Sequence, residues 1–139
     1  MKDLDWSNLS FGYRQTDYNV RCYYRDGKWG EIEVCSDEYL KLHMAATCLH
    51  YDQEAFEGLK AYRCPDGKVR VFRMDENAKR LQSTCRGILM PEVPTEMFEE
   101  MVKKVVRLNQ EWIPTYESGA TLYIRPLLIG TSAQVGVHP

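Results

Sequence analysis

The chain has 139 residues, 44% of them hydrophobic and 27% charged, the balance of a single globular domain able to close an apolar core. Its formal net charge is -2, with 18 basic and 20 acidic residues interspersed, so it carries no positive field for a phosphate backbone and nucleic acid is excluded as a partner. No apolar run approaches a membrane span, and the opening MKDLDWSNLSF lacks the apolar centre of a secretion signal. The expected setting is cytoplasmic, without a membrane partner.

In chain order, the first strong pattern is DYNVRCYYRDGKWGEIEV, where aromatic and β-branched residues alternate with polar ones on both sides of Asp26-Gly27. This is a hairpin signature. Ser36 to Tyr51 is less regular, and AATCLHY can form a short helical turn. FEGLKAYR reads as a strand that puts Phe56, Gly58, Lys60 and Tyr62 on one face and Leu59 and Ala61 on the other. The turn CPDGK leads into VRVFR, its hairpin partner.

Two helices follow. Asp75 is the expected N-cap of ENAKRLQSTCRGIL, whose apolar stripe is Ala78, Leu81, Cys85, Ile88 and Leu89, and Met90-Pro91 ends it. The second helix starts near Thr95, with Phe98, Met101, Val102, Val105, Leu108, Asn109 and Trp112 on its buried face. Its acids precede its bases, as the helix dipole prefers, and form a solvated face. A loop through Pro114 to Gly119 precedes TLYIRPLLIGT, a strand with Tyr123 and Arg125 on one side and Leu122 and Ile124 on the other. With no internal repeat and no linker, the expectation is one α+β domain over residues 1–139, an antiparallel sheet with two helices packed on one face.

Candidate chemistry is sparse. Cys22, Cys35, Cys48, Cys64 and Cys85 have no CxxC spacing and the three histidines complete no ligand set, so free thiols and no metal are expected. Lys60 stands among apolar neighbours, where a lysine can become a nucleophile or an imine anchor, or can lay its stem along a sheet and keep its ammonium in water. Arg80 lies off the stripe of the first helix, within reach of a phosphate or carboxylate or simply exposed. Arg125, in the middle of an apolar strand, calls either for a buried ion pair or for an anionic ligand. Phe11, Tyr51, Phe56 and Tyr123 suit the lining of a small-molecule pocket, or a core.

Taken together and in this order, LHYDQEAFEGLKAYR, VFRMDENAKRL, MPEVP and LYIRPLLIGT resemble the N-terminal half of the branched-chain amino acid aminotransferases, and the resemblance runs from Ser10 to the end of the chain. It implies a pyridoxal-phosphate enzyme of fold type IV, moving an amino group between leucine, isoleucine or valine and 2-oxoglutarate, with glutamate and branched 2-oxo acids as the other reactants. It also implies a homodimer whose cofactor lies between a small N-terminal domain and a larger one that carries the cofactor-anchoring lysine. On this reading the chain is the small domain alone, with no catalytic residue of its own, and is inert by itself.

Residue by residue, the resemblance gives Arg80 the cofactor phosphate. It makes Phe56, Tyr123 and Phe11 walls of the side-chain pocket and Gly58 a glycine lining it. Arg125, with Tyr51, receives the second carboxylate of glutamate. Tyr51, Val135 and Val137 reach the neighbouring subunit's site. Asp52 and Glu54 depart from the family pattern, where small or apolar residues are usual. A related lyase, a D-amino acid aminotransferase or a non-catalytic module for small anions are the alternatives.

Overall fold

In the computed structural model, the described residues are all but Met1, Asp3, Ser10 and 137–139, with backbone only at Ser7. The expected first hairpin is present as two short ladders. Strand β1 (Asn19–Arg21) pairs with β4 (Glu33–Cys35), and β2 (Tyr24–Arg25) pairs with β3 (Lys28–Trp29). The tight turn at Asp26-Gly27 has φ of 55° and 79°, the two positive values that match hairpin twist and that aspartate and glycine accept at low cost.

Helix α1 (Thr47–Tyr51) is the short turn expected before FEGLKAYR, and Asp52 follows it in the left-handed region with φ 56°. Glycine meets no steric penalty there, and aspartate is among the residues best able to replace it. One of the two departures from the family pattern therefore falls where backbone conformation limits the choice.

FEGLKAYR is not one strand. Its first residue closes β5 (Glu54–Phe56), and the chain resumes as β6 (Leu59–Arg63) after a break at Glu57-Gly58. The two strands have different neighbours. β5 pairs with β9 (Leu127–Ile129), whereas β6 lies between β7 (Val69–Val71) and β8 (Leu122–Ile124). TLYIRPLLIGT breaks in the same way, at Arg125-Pro126, because proline has no N–H for a ladder. The α+β class stands, with all the ladders among the described residues antiparallel, but the strands form four small sheets in place of one continuous sheet.

Helix α2 spans Met74–Gly87, so Asp75 lies inside it and Arg73, with φ 49°, takes the cap position. Asp75 and Glu76 still serve the helix from its first turn, where negative charge complements the dipole. Leu89 leaves the stripe: it sits past the helix end at φ 56°, exposed, and the Met90 N–H bonds back to the Cys85 carbonyl at 2.9 Å. That is the Schellman closure, here with leucine where glycine is usual.

Helix α3 (Thr95–Leu108) packs on α2 and also approaches β1, while α2 approaches β5. Their stripes meet the strands in one core of Ala78, Leu81, Cys85, Phe98, Val102 and Val106 with Ala55, Leu59, Ala61, Ile113 and Ile124. Burial of a side chain such as Phe98, 3% exposed, contributes about 2 kcal/mol. All five cysteines are free thiols. Among the described residues no helix is long and apolar enough to cross a membrane.

Candidate functional site

The break at Glu57-Gly58 organises the site. Along 55–61 the chain keeps a period of two, with Ala55, Glu57, Leu59 and Ala61 buried and Phe56 and Lys60 exposed. Phe56 thus faces outward, and its neighbour Glu57 faces the helices.

On the outward side the structure gathers four of the expected residues. The Arg125 guanidinium carbon lies 4.5 Å from the Phe56 ring centroid and 5.5 Å from that of Tyr123, and Arg125 Nη2 donates to the Tyr123 phenol oxygen at 3.2 Å. Phe11 meets Tyr123 edge to face, centroids 5.4 Å apart. Gly58 completes this wall. A Cβ there would sit 3.1 Å from Tyr123 Cζ and closer still to its oxygen, so any side chain would push the tyrosine out of place.

The alternative of a buried ion pair for Arg125 does not hold, because the residue is exposed at the strand break. Among the described residues no carboxylate pairs with it, and its charge rests on two aromatic faces, an attraction that keeps the cation accessible. Phe11 at 85% and Phe56 at 58% exposure are not core residues. Together with Leu127, opposite Phe56 in the β5–β9 ladder and also exposed, they form the kind of apolar surface that marks a binding or contact face.

On the helix side lies a feature that the sequence reading missed. Glu57, with its side chain 3% exposed, accepts hydrogen bonds from Arg80 Nε at 2.8 Å and Nη2 at 2.5 Å, and from Asn77 Nδ2 at 3.1 Å. Asn77 also donates to the Gly58 carbonyl at 3.3 Å. Burial pushes the Glu57 carboxyl upward, but hydrogen bonds from Arg80 and Asn77, the Arg80 charge and the Gly58 amide outweigh it and hold the group below its ordinary value. The same pair raises the Arg80 guanidinium. The signal for Glu57 was present: it shares the parity of Leu59 and Ala61, and an acid on an apolar face needs a partner.

This pair sets an acid limit. The folded-state value of Glu57 lies below the ordinary 4.5, so its contribution to stability is complete above that pH and is lost as pH falls through the lower folded value. Thermal melts of the native chain and Glu57→Gln from about pH 7 to about pH 3 should show a gap that is constant above the ordinary value and closes below it. A gap independent of pH would contradict the ionised pair.

Not all expected residues converge. The ring neighbour of Tyr51 is His50, at 6.3 Å, and Arg125 bonds to Tyr123 in place of Tyr51. Val135 is exposed at 88%, and Val137 lies outside the described residues. Lys60 is exposed and opposite Tyr123 in the β6–β8 ladder; this is the placement of a strand lysine with its ammonium in water. An open cleft of about 1860 Å³ borders Phe11, Tyr123 and Arg125, far larger than one small substrate fills. Phe56 and Arg80 do not line it.

The fold is that of the fold type IV aminotransferases. The crystal structure of the Escherichia coli branched-chain amino acid aminotransferase superposes with a TM-score of 0.67 at 26% identity, covering 89% of this chain and 35% of that one. Within the class, the chain matches the N-terminal region of the branched-chain amino acid aminotransferases. It is 53% identical over 137 residues to that enzyme of Haemophilus influenzae, covering 99% of this chain and 40% of the relative. With the Helicobacter pylori enzyme it shares 45% identity over 139 residues, 100% of this chain and 41% of the relative. The chain spans about two fifths of the length of these relatives. No protein-family model matches it.

Proposed function

We propose that the protein to which this chain belongs transfers an amino group between leucine, isoleucine or valine and 2-oxoglutarate, using pyridoxal phosphate. The chain supplies the small domain, and a second domain carries the lysine that anchors the cofactor. The observation that carries this reading is the Arg125 guanidinium laid on Phe56 and Tyr123. A branched aliphatic side chain needs dry walls and a γ-carboxylate needs a cation, and this arrangement offers both on one surface. The match to the N-terminal region of the Haemophilus influenzae enzyme supports it along nearly the whole chain. So does the crystal structure of a 28% identical branched-chain amino acid aminotransferase complexed with N-(5'-phosphopyridoxyl)-L-glutamate, which superposes with a TM-score of 0.59.

The residues present fit the cofactor. When bound, pyridoxal phosphate supplies the electron sink that lets an amino group leave one carbon skeleton for another. Arg80 gives two of its N–H groups to Glu57 and keeps three for a phosphate, to which a planar guanidinium is well matched. Gly58 keeps the wall open for the substrate chain, Phe56, Tyr123 and Phe11 exclude water from it, and Arg125 orients the γ-carboxylate of glutamate. The exposed apolar residues, with Tyr51 and Val135, face the second domain or the second subunit of a cytoplasmic homodimer. Lys60 is not the anchoring lysine.

The experiment is amino transfer from leucine to 2-oxoglutarate by the complete protein, followed as glutamate formed, and absence of glutamate would overturn the reading. Within it, Arg125→Met should raise KM for 2-oxoglutarate about tenfold or more, because a charge-assisted hydrogen bond is lost. KM for leucine should change far less. Equal losses on both substrates would assign Arg125 a structural role.

A further inference from the structure

Glu57 has no part in the chemistry above, yet it is a buried carboxylate in the middle of the site wall. Structural need is a weak reason for it. A buried ion pair seldom stabilises a fold more than well-packed apolar residues would, and the Arg80 side chain, 68% exposed, remains largely in water. The geometry is more specific than the stability argument requires. Glu57 grips one edge of the guanidinium, Nε and Nη2, which leaves Nη1 and one Nη2 proton on the other side. Asn77, one helical turn before Arg80 on α2, locks the carboxylate from behind and ties it to the Gly58 carbonyl.

We propose that Glu57 is a positioning residue: with Asn77 it fixes the orientation of Arg80 so that the free edge of the guanidinium meets the cofactor phosphate. This rests on the reading that Arg80 binds that phosphate. An exposed arginine otherwise samples many rotamers and loses that freedom on binding a ligand, and an arginine already held loses less. The arrangement has an opposing cost, since the carboxylate partly cancels the positive field felt by an incoming phosphate. Orientation outweighs field here because the guanidinium is exposed, where water and salt screen the charge but do not fix the geometry.

The test is cofactor binding to the complete apoprotein, followed by absorbance, with pyridoxal 5'-phosphate and with pyridoxal, which lacks the phosphate. Glu57→Gln is expected to weaken pyridoxal 5'-phosphate about tenfold and leave pyridoxal unchanged, and Glu57→Gln combined with Arg80→Ala should be no weaker than Arg80→Ala alone. Asn77→Ala should give a smaller loss with the same phosphate selectivity. If Arg80→Ala leaves affinity for pyridoxal 5'-phosphate intact, the phosphate reading is wrong and this inference falls with it. If Arg80→Ala weakens binding while Glu57→Gln equals or exceeds the native protein, the phosphate reading stands and the positioning role is overturned. Equal loss of both ligands in Glu57→Gln would also overturn it, as the mark of a merely structural residue.

Discussion

Arg80→Ala in the complete protein is expected to weaken pyridoxal 5'-phosphate binding about 10- to 100-fold, the range for losing charge-assisted hydrogen bonds to a phosphate. Turnover at saturating cofactor should change much less, because Arg80 stands on α2 and bonds to Glu57, on the opposite side of the wall from the Arg125 cluster, to which we assign the substrate chain. The variant has a second, separable effect. It removes the guanidinium from Glu57, leaving a buried carboxylate with only Asn77 and the Gly58 amide. That carboxyl should then titrate upward, because burial is the largest influence on it and the main opposing partner is gone. Retained cofactor affinity would remove Arg80 from the site.

Asn109→Leu is expected to destabilise the fold by about 2–4 kcal/mol, the sum of several hydrogen bonds worth about 1 kcal/mol each. Asn109 caps α3 and is 2% exposed. Its Oδ1 accepts from the backbone N–H of Asp17 at 3.1 Å and of Tyr18 at 3.0 Å, and its Nδ2 donates to the carbonyls of Tyr18 at 3.0 Å and Val105 at 2.8 Å. The side chain is fully used, and it fastens the segment before β1 to the end of α3. Leucine fits the volume but strands those backbone groups. Chemical denaturation of the variant measures the loss, and a change below about 1 kcal/mol, the worth of a single bond, would show that water replaces the amide.

The sequence pattern revealed the local features and missed those that depend on distant partners. Alternation in FEGLKAYR correctly separates Phe56 and Lys60 from Leu59 and Ala61, since side-chain parity is a property of extended backbone. It does not reveal that β5 and β6 join different neighbours, because β9 and β8 come from more than 60 residues downstream in the sequence. The Arg125-Pro126 break was legible in principle: a proline within an apolar run argues against a central strand. Taken as one strand, the run leaves a buried ion pair open for Arg125; with the break, the residue is exposed and that alternative falls.

The helix stripes held wherever the helix continued and failed at Leu89, which follows the end of α2. Of the residues that the family pattern suggests, Phe11, Phe56, Gly58, Tyr123 and Arg125 lie together and Arg80 lies on the helix side, but the pattern is silent on Glu57. That residue becomes visible only when α2 is laid against the strand break and a carboxylate is found beneath the guanidinium.

The most direct test is a crystal structure of the complete protein with the pyridoxal-phosphate adduct of glutamate. The account requires the phosphate on the outer edge of Arg80, the γ-carboxylate on Arg125, and the aliphatic carbons against Phe56 and Tyr123 beside Gly58. An adduct bound with its phosphate away from Arg80 and its γ-carboxylate away from Arg125 would contradict it.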